Sequence, residues 1–178
     1  MTPLEYILER IKKSVSSVKK KDIDKLIDSI LSSKTIFIYG SGRSGLSGQF
    51  FAVRLVQLGL DVHFVGDMTT PIIGNGDLTL LVSRTGETMS AVQTANIARR
   101  EGSFVTCITS HKSSKLAHAS NHTILMPFDE DPQASVYAPL GTLFEESVNM
   151  FFDSLIPVLM ERLGMDEQDM MKRHAIWV

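Results

Sequence analysis

Five short apolar runs, each separated from the next by a longer stretch, constrain this chain more than any other feature. Thr35–Tyr39, Asp61–Val65, Leu78–Ser83, Phe104–Thr109 and His122–Pro127 are rich in β-branched residues and nearly all apolar. Strands covered on both faces read this way. Between them lie amphipathic segments at Leu46–Leu58, at Glu87–Arg100, which Gly102 stops, and a shorter one around Ser114–Ala119. Strands alternating with helices require right-handed crossovers, and these give a parallel sheet with helices on both sides. The expected fold is α/β, a three-layer α/β/α sandwich around a five-stranded parallel sheet.

Both ends of the chain add helices to this frame. Leu4, Ile7, Leu8, Ile11 and Val15, then Ile23, Leu26, Ile27 and Ile30, recur at helical spacing and predict a two-helix arm over residues 1–32. Its lysines (12, 13, 19, 20, 21 and 25) are interleaved with Asp22, Asp24 and Asp28, which suits a solvated face. A long helix is predicted over Gly141–Leu163 and a short one near Asp166–His174, so that C-terminal helices fill 141–174. Leu143, Phe144, Val148, Met150, Phe151, Phe152, Leu155, Ile156, Val158 and Leu159 spread around the long helix, with Pro157 expected to kink it. So wide an apolar surface fits either a central core helix or burial against another subunit, and the second is the expectation. With 178 residues and no linker, the whole of 1–178 is read as a single domain.

Charge and cysteine usage remove several classes of function. A formal net charge of −2 leaves no general electrostatic footprint for nucleic acid. The lone Cys107 lies in an apolar run, as a buried inert thiol would, and points to a reducing compartment. The start Met1-Thr2-Pro3-Leu4-Glu5 lacks a signal-peptide pattern, and no apolar run has the length of a membrane span. A cytoplasmic protein with no membrane partner is expected. His63, His111, His118 and His122 show no ligand spacing, so neither a metal nor another cofactor is expected.

In open α/β sheets, ligands sit outside the carboxyl ends of the strands. Two such ends are chemically unusual here. Gly40-Ser41-Gly42-Arg43-Ser44-Gly45 follows the first strand, and Ser83-Arg84-Thr85-Gly86-Glu87-Thr88 follows the third; each opens a helix. Glycines let the backbone approach a ligand, and the free N–H groups of a helix start favour an anion. Ser41, Gly42, Arg43 and Ser44 in the first loop, with Ser83, Arg84, Thr85, Gly86, Glu87 and Thr88 in the second, are the expected phosphate cradle. Any single hydroxyl here also fits a helix cap, and Arg43 fits a surface ion pair as well as a phosphate contact. The first loop also spells the G-x-G-x-x-G of dinucleotide sites, with Asp67 downstream. Asp67 lies past its strand tip, however, and the chain has no room for a substrate domain, so a nucleotide is the less favoured ligand.

With both loops in view the chain resembles sugar isomerase (SIS) domains, whose fold is flavodoxin-like. More narrowly it resembles the 6-phospho-3-hexuloisomerases of the ribulose monophosphate pathway. The shared stretches are the two loops, Thr69-Thr70-Pro71, Gly76-Asp77, Pro139-Leu140-Gly141-Thr142-Leu143-Phe144-Glu145 and Arg173-His174-Ala175. The resemblance implies metal-independent conversion of D-arabino-3-hexulose 6-phosphate to fructose 6-phosphate. It also implies a homotetramer with sites near subunit contacts, a sugar phosphate as small-molecule partner, and functional coupling to a hexulose-phosphate synthase. Two departures stand out. Arg84 replaces the family's usual glycine, and the tail ends Ala175-Ile176-Trp177-Val178.

Moving a carbonyl from C3 to C2 needs one base that takes a proton from carbon and returns it to the neighbouring carbon through a cis-enediol. From spacing alone, Thr142-x-x-Glu145 fits a helix capping box as well as a catalytic position; the resemblance makes Glu145 the base. Glu146 points about 100° away around the helix. Glu87, at a helix start beside the phosphate loop, suits orientation or capping. His174 reads as a surface histidine on a terminal helix. The resemblance gives it the oxygen-to-oxygen proton transfer, in its own or a neighbouring subunit's site. The bland alternative is a non-catalytic phosphosugar-binding module, although the roughly 30 residues before the first strand are short for a DNA-binding partner domain.

Overall fold

A computed structural model describes residues 1–129 and 131–175. Strands form on the five apolar runs: β1 (Ile36–Gly40), β2 (Val62–Phe64), β3 (Leu78–Val82), β4 (Phe104–Thr109) and β5 (His122–Leu125). All pairings are parallel, in the order β2-β1-β3-β4-β5. The chain therefore reverses direction of travel across the sheet between β1 and β3. That reversal leaves a crevice at their carboxyl ends, where open sheets bind ligands. Register makes the crevice tight: Gly40 pairs with Val82, so the two glycine loops leave the sheet side by side.

The helices are α1 (Pro3–Ser16), α2 (Lys20–Ser32), α3 (Arg43–Gln57), α4 (Met89–Arg100), α5 (Lys115–Ala119), α6 (Ala134–Tyr137), α7 (Thr142–Leu163) and α8 (Glu167–Met171). Pro3 stands at the first turn of α1, and a Thr2/Glu5 capping box starts it. Side chains alternate across the strands. Ile36, Ile38, Leu78, Leu80, Val82, Ile108 and Ile124 pack with α2, α3 and α7, whereas Leu81, Val105 and Cys107 face α4 and α5. The second layer sits close because α4 presents Ala91, Ala95 and Ala98. Burial raises the Cys107 thiol above its ordinary pKa.

The long helix corrects one expectation. Leu143, Phe144, Val148, Phe151, Phe152, Leu155, Ile156 and Leu159 are all buried within the chain itself, leaving Met150 and Val158 as exposed large apolar residues of the set. Its wide apolar surface is thus explained by a central position between α1 and α3, because a helix wrapped by neighbours on several sides shows no single stripe. The helix also runs on through Pro157 to Leu163. The exposed apolar row lies instead on α3, at Leu46, Phe50, Val53 and Val56.

Candidate functional site

The first loop folds as a tight turn from β1 into α3. A Cβ on Gly40 would meet the Gly45 amide nitrogen at 2.7 Å, and one on Gly45 would meet the Gly40 carbonyl oxygen at 2.5 Å. The outer glycines of G-x-G-x-x-G thus permit a strand end and a helix start to touch, with no nucleotide needed to explain them. The turn leaves Ser41, Gly42 and Arg43 exposed and turns Ser44 inward.

Ser44 finds the partner that organises the site. Its hydroxyl donates to Glu145 Oε1 at 3.2 Å, across a sequence separation of 101 residues. Arg43 Nε lies 3.5 Å from Glu145 Oε2, and Arg43 Nη2 lies 3.6 Å from Glu146 Oε1. Glu145 is buried, with 6% of its surface exposed. The capping-box alternative is not realised: Thr142 donates its hydroxyl to the Pro139 carbonyl at 2.7 Å, and Gly141 occupies the N-cap. The Glu145 carboxylate is therefore released from its own helix end and aimed at the first loop.

What precedes α7 explains that aim. A 3-10 turn, Pro139–Gly141, carries Leu140 at φ 55° and Gly141 at φ 92°. A Cβ on Gly141 would come within 3.1 Å of Glu145 Oε2 and 3.2 Å of both Cδ and Nε of Arg84. Glycine is needed there on both counts, backbone and space. Arg84, from the second loop, is thereby placed against the same turn as Glu145.

The second loop is held mostly by itself and by its neighbour after β4. Ser83 Oγ lies 3.2 Å from Thr88 Oγ1 and accepts from the Gly86 amide, while Thr85 Oγ1 accepts from the Glu87 amide. The Arg84 carbonyl accepts from the Ser110 amide at 2.9 Å and from the Thr109 hydroxyl at 3.1 Å. Glu87 turns outward, where the Lys115 backbone amide donates to Oε1 and Lys115 Nζ pairs with Oε2, both at 3.0 Å. Those Lys115 contacts lower the Glu87 pKa from its ordinary value. Thr109, Ser114 and Lys115 support this loop although they lie outside both glycine motifs. The signal was available, since Thr109-Ser110 also closes a strand at the carboxyl rim.

His174 stands apart from this group. It lines one cavity of about 430 Å³ with Arg54 and Gln57 and another of about 530 Å³ with Val53 and Asp67. Its Nδ1 lies 3.1 Å from the Ala175 carbonyl oxygen. Arg54 is ten residues along α3 from Ser44, roughly 15 Å of helix. Within one chain, therefore, His174 and Glu145 are not brought together. Ile176, Trp177 and Val178, the end of the atypical tail, lie outside the described residues.

Residues 29–146 match the SIS domain family model. The chain belongs to the SIS family. Among SIS relatives, a 3-hexulose-6-phosphate isomerase of Bacillus subtilis is 36% identical over 182 residues, covering 98% of each chain. Another so named, from Methanocaldococcus jannaschii, is 38% identical over 156 residues, covering 88% of this chain and 84% of the relative. A Methanococcus jannaschii crystal structure, described as inferring a molecular function of 3-hexulose-6-phosphate isomerase, matches with a TM-score of 0.88 at 34% identity. It covers 98% of both chains. Within the SIS family this chain falls among the 3-hexulose-6-phosphate isomerases. The SIS match spans both glycine loops and reaches Glu145.

Proposed function

We propose that this SIS-family chain is a phosphosugar isomerase interconverting D-arabino-3-hexulose 6-phosphate and fructose 6-phosphate, with Glu145 as the base. The observation that carries this reading is the placement of the Glu145 carboxylate, buried and held by Ser44 and Arg43 between two hydroxyl-lined loops. The names of the relatives supply the substrate.

In the proposed reaction the phosphate is gripped by Ser41, Gly42, Arg43 and Ser44 on one side and by Ser83, Arg84, Thr85, Gly86 and Thr88 on the other. Anchoring the ester fixes C2 and C3 relative to Glu145, which converts an intermolecular proton transfer into one between preplaced groups. Glu145 takes the proton from C2 as O3 gains one, giving the cis-enediol. It then returns its proton to C3 as O2 loses one, leaving the carbonyl at C2. Glu87, held outward by Lys115, orients the loop rather than the substrate. His174 moves the proton between oxygens from a neighbouring copy, since in its own chain it lies far along α3 from Ser44. The exposed row Leu46, Phe50, Val53 and Val56 on α3 supports a homotetramer in which such an exchange occurs. The substrate would come from a hexulose-phosphate synthase. Incubation with D-arabino-3-hexulose 6-phosphate should yield fructose 6-phosphate; folded protein that leaves this sugar untouched while isomerising another sugar phosphate would overturn the assignment.

A further inference from the structure

A third, smaller core lies beside the two that cover the sheet. Tyr6 of α1 is buried at its centre with Ala138 and Leu143, and Phe128, Ala134 and Tyr137 pack around them. The Tyr6 ring sits 5.4 Å from that of Tyr137, and its hydroxyl donates to Asp131 Oδ2 at 2.9 Å. Burial first, then the Asp131 carboxylate, raise the Tyr6 pKa above its ordinary value, so the phenol keeps its hydrogen and stays the donor. Arg10, one turn further along α1, lies over the Tyr6 ring and pairs with the same Asp131 oxygen. Asp131 is anchored from its other side as well, where Oδ1 accepts from the Gln133 amide at 2.9 Å. The proposed reaction uses none of Tyr6, Arg10 and Asp131.

Ala138 and Leu143 matter because of what stands between them. Residues 126–141 lead from β5 to α7 and end in the turn where Leu140 has φ 55° and Gly141 φ 92°. A left-handed non-glycine residue persists only where its surroundings over-determine it. Leu140 supplies no such hold itself, since its side chain is exposed. Nor does α7 secure its own beginning: Gly141 at the N-cap offers no side-chain hydrogen bond, and helix ends fray. Tyr6 grips the chain on both sides of the turn, through Ala138 before it and Leu143 after it. Glu145 follows two residues later, with its carboxylate on Ser44.

We infer that Tyr6 is a positioning residue for the isomerisation: bonded to Asp131, it clamps the 126–141 connection and so holds the Glu145 carboxylate in place against the substrate. This rests on Glu145 acting as the proposed base. The neighbouring pair of Lys13 Nζ and Asp129 Oδ2, 2.5 Å apart, is exposed at the rim, where ion pairs contribute little. The buried phenol and its half-buried partner carry the clamp.

Two substitutions isolate their bond. Tyr6→Phe keeps the ring in its cluster and removes only the donor. Asp131→Asn keeps an oxygen for the Gln133 amide and puts an amide nitrogen where Tyr6 and Arg10 need an acceptor. With D-arabino-3-hexulose 6-phosphate as substrate, each should lower kcat about tenfold, the effect of a small misplacement, with KM nearly unchanged. The double variant should fall no further than Asp131→Asn alone, because both changes remove one interaction. Amide hydrogen exchange gives a reading that needs no substrate. In Tyr6→Phe, amides of the 126–141 connection and the first turn of α7 should exchange faster, while those of β3 and β4 keep their wild-type rates.

Unchanged kcat in both single variants overturns the inference, because the clamp would then hold the connection without serving Glu145. Additive losses in the double variant overturn it too. So does faster exchange across β3 and β4, since Tyr6 would then support the whole fold rather than this turn. Wild-type protein that leaves the sugar untouched, while Tyr6→Phe shows the local change in exchange, sinks the proposed reaction and keeps the clamp.

Discussion

Phe51 and Phe152 stack face to face, with ring centroids 4.1 Å apart and planes 3° from parallel. Each lies seven residues beyond a site residue, Phe51 after Ser44 on α3 and Phe152 after Glu145 on α7. Seven residues are about two helical turns, so each ring lies on the same face as its site residue. The aromatic pair is therefore the core anchor of the hydrogen bond between Ser44 and Glu145.

Truncating that anchor should cost both stability and rate. Phe152→Ala is expected to destabilise the chain by about 3–5 kcal/mol, the usual cost of emptying a buried aromatic position. Urea denaturation measures this directly. The milder Phe152→Leu should retain the fold yet lower kcat more than it changes KM, because α7 then holds Glu145 less firmly. Equal loss in both parameters would argue against a positioning role.

Glu145→Gln keeps the shape and removes the carboxylate proposed as the base. Turnover should fall by about 10²–10⁴-fold, the range for a positioned proton-transfer group, while fructose 6-phosphate still binds. Calorimetric titration alongside a coupled assay separates the two effects. Normal turnover in the variant would remove Glu145 from the chemistry.

Gly141→Ala introduces a Cβ where φ is 92° and where Glu145 Oε2 and Arg84 lie 3.1–3.2 Å away. A non-glycine residue in such a conformation costs about 1–3 kcal/mol. The expected result is a modest fall in denaturation midpoint with a larger fall in kcat, since the displaced atoms belong to the site.

Stability should also respond to pH through His122. This side chain is buried at the start of β5, with Nε2 3.6 Å from Asp22 Oδ1. Burial first, then Lys25, lower its pKa below the ordinary value of 6.5, with Asp22 opposing. The unfolded chain thus takes up a proton near pH 6.5 that the folded chain still refuses. Stability should fall as pH drops from 6.5 towards the lowered folded value and then level off with respect to this group. His122→Phe should flatten that part of the profile in urea midpoints measured from about pH 7.5 to about pH 5, a span that brackets the histidine range.

The frame of this fold was legible because periodicity and burial agree: strands sealed on both faces have to be apolar throughout, and Leu78–Val82 and Phe104–Thr109 could hardly be anything else. The rim was legible in part. Glycine and hydroxyl clusters mark the loops, but no pattern in Thr142-x-x-Glu145 distinguishes a cap from a carboxylate facing Ser44. That outcome depends on Gly141 taking the N-cap position, which follows from the turn at Leu140. Helix α6 leaves no legible signal, because four residues carry too little periodicity to register. The apolar girth of α7 misled for a simple reason: one-dimensional patterning reports how many sides of a helix are covered, not whether the same chain covers them.

Helices α3, α4 and α7 all begin at one end of the sheet, where both glycine loops lie. Their peptide dipoles consequently point their positive ends towards a shared opening. A chain whose formal charge is −2 as a whole thus keeps a local bias towards anions at this opening, and it does so with backbone geometry that no change of surface side chains can erase.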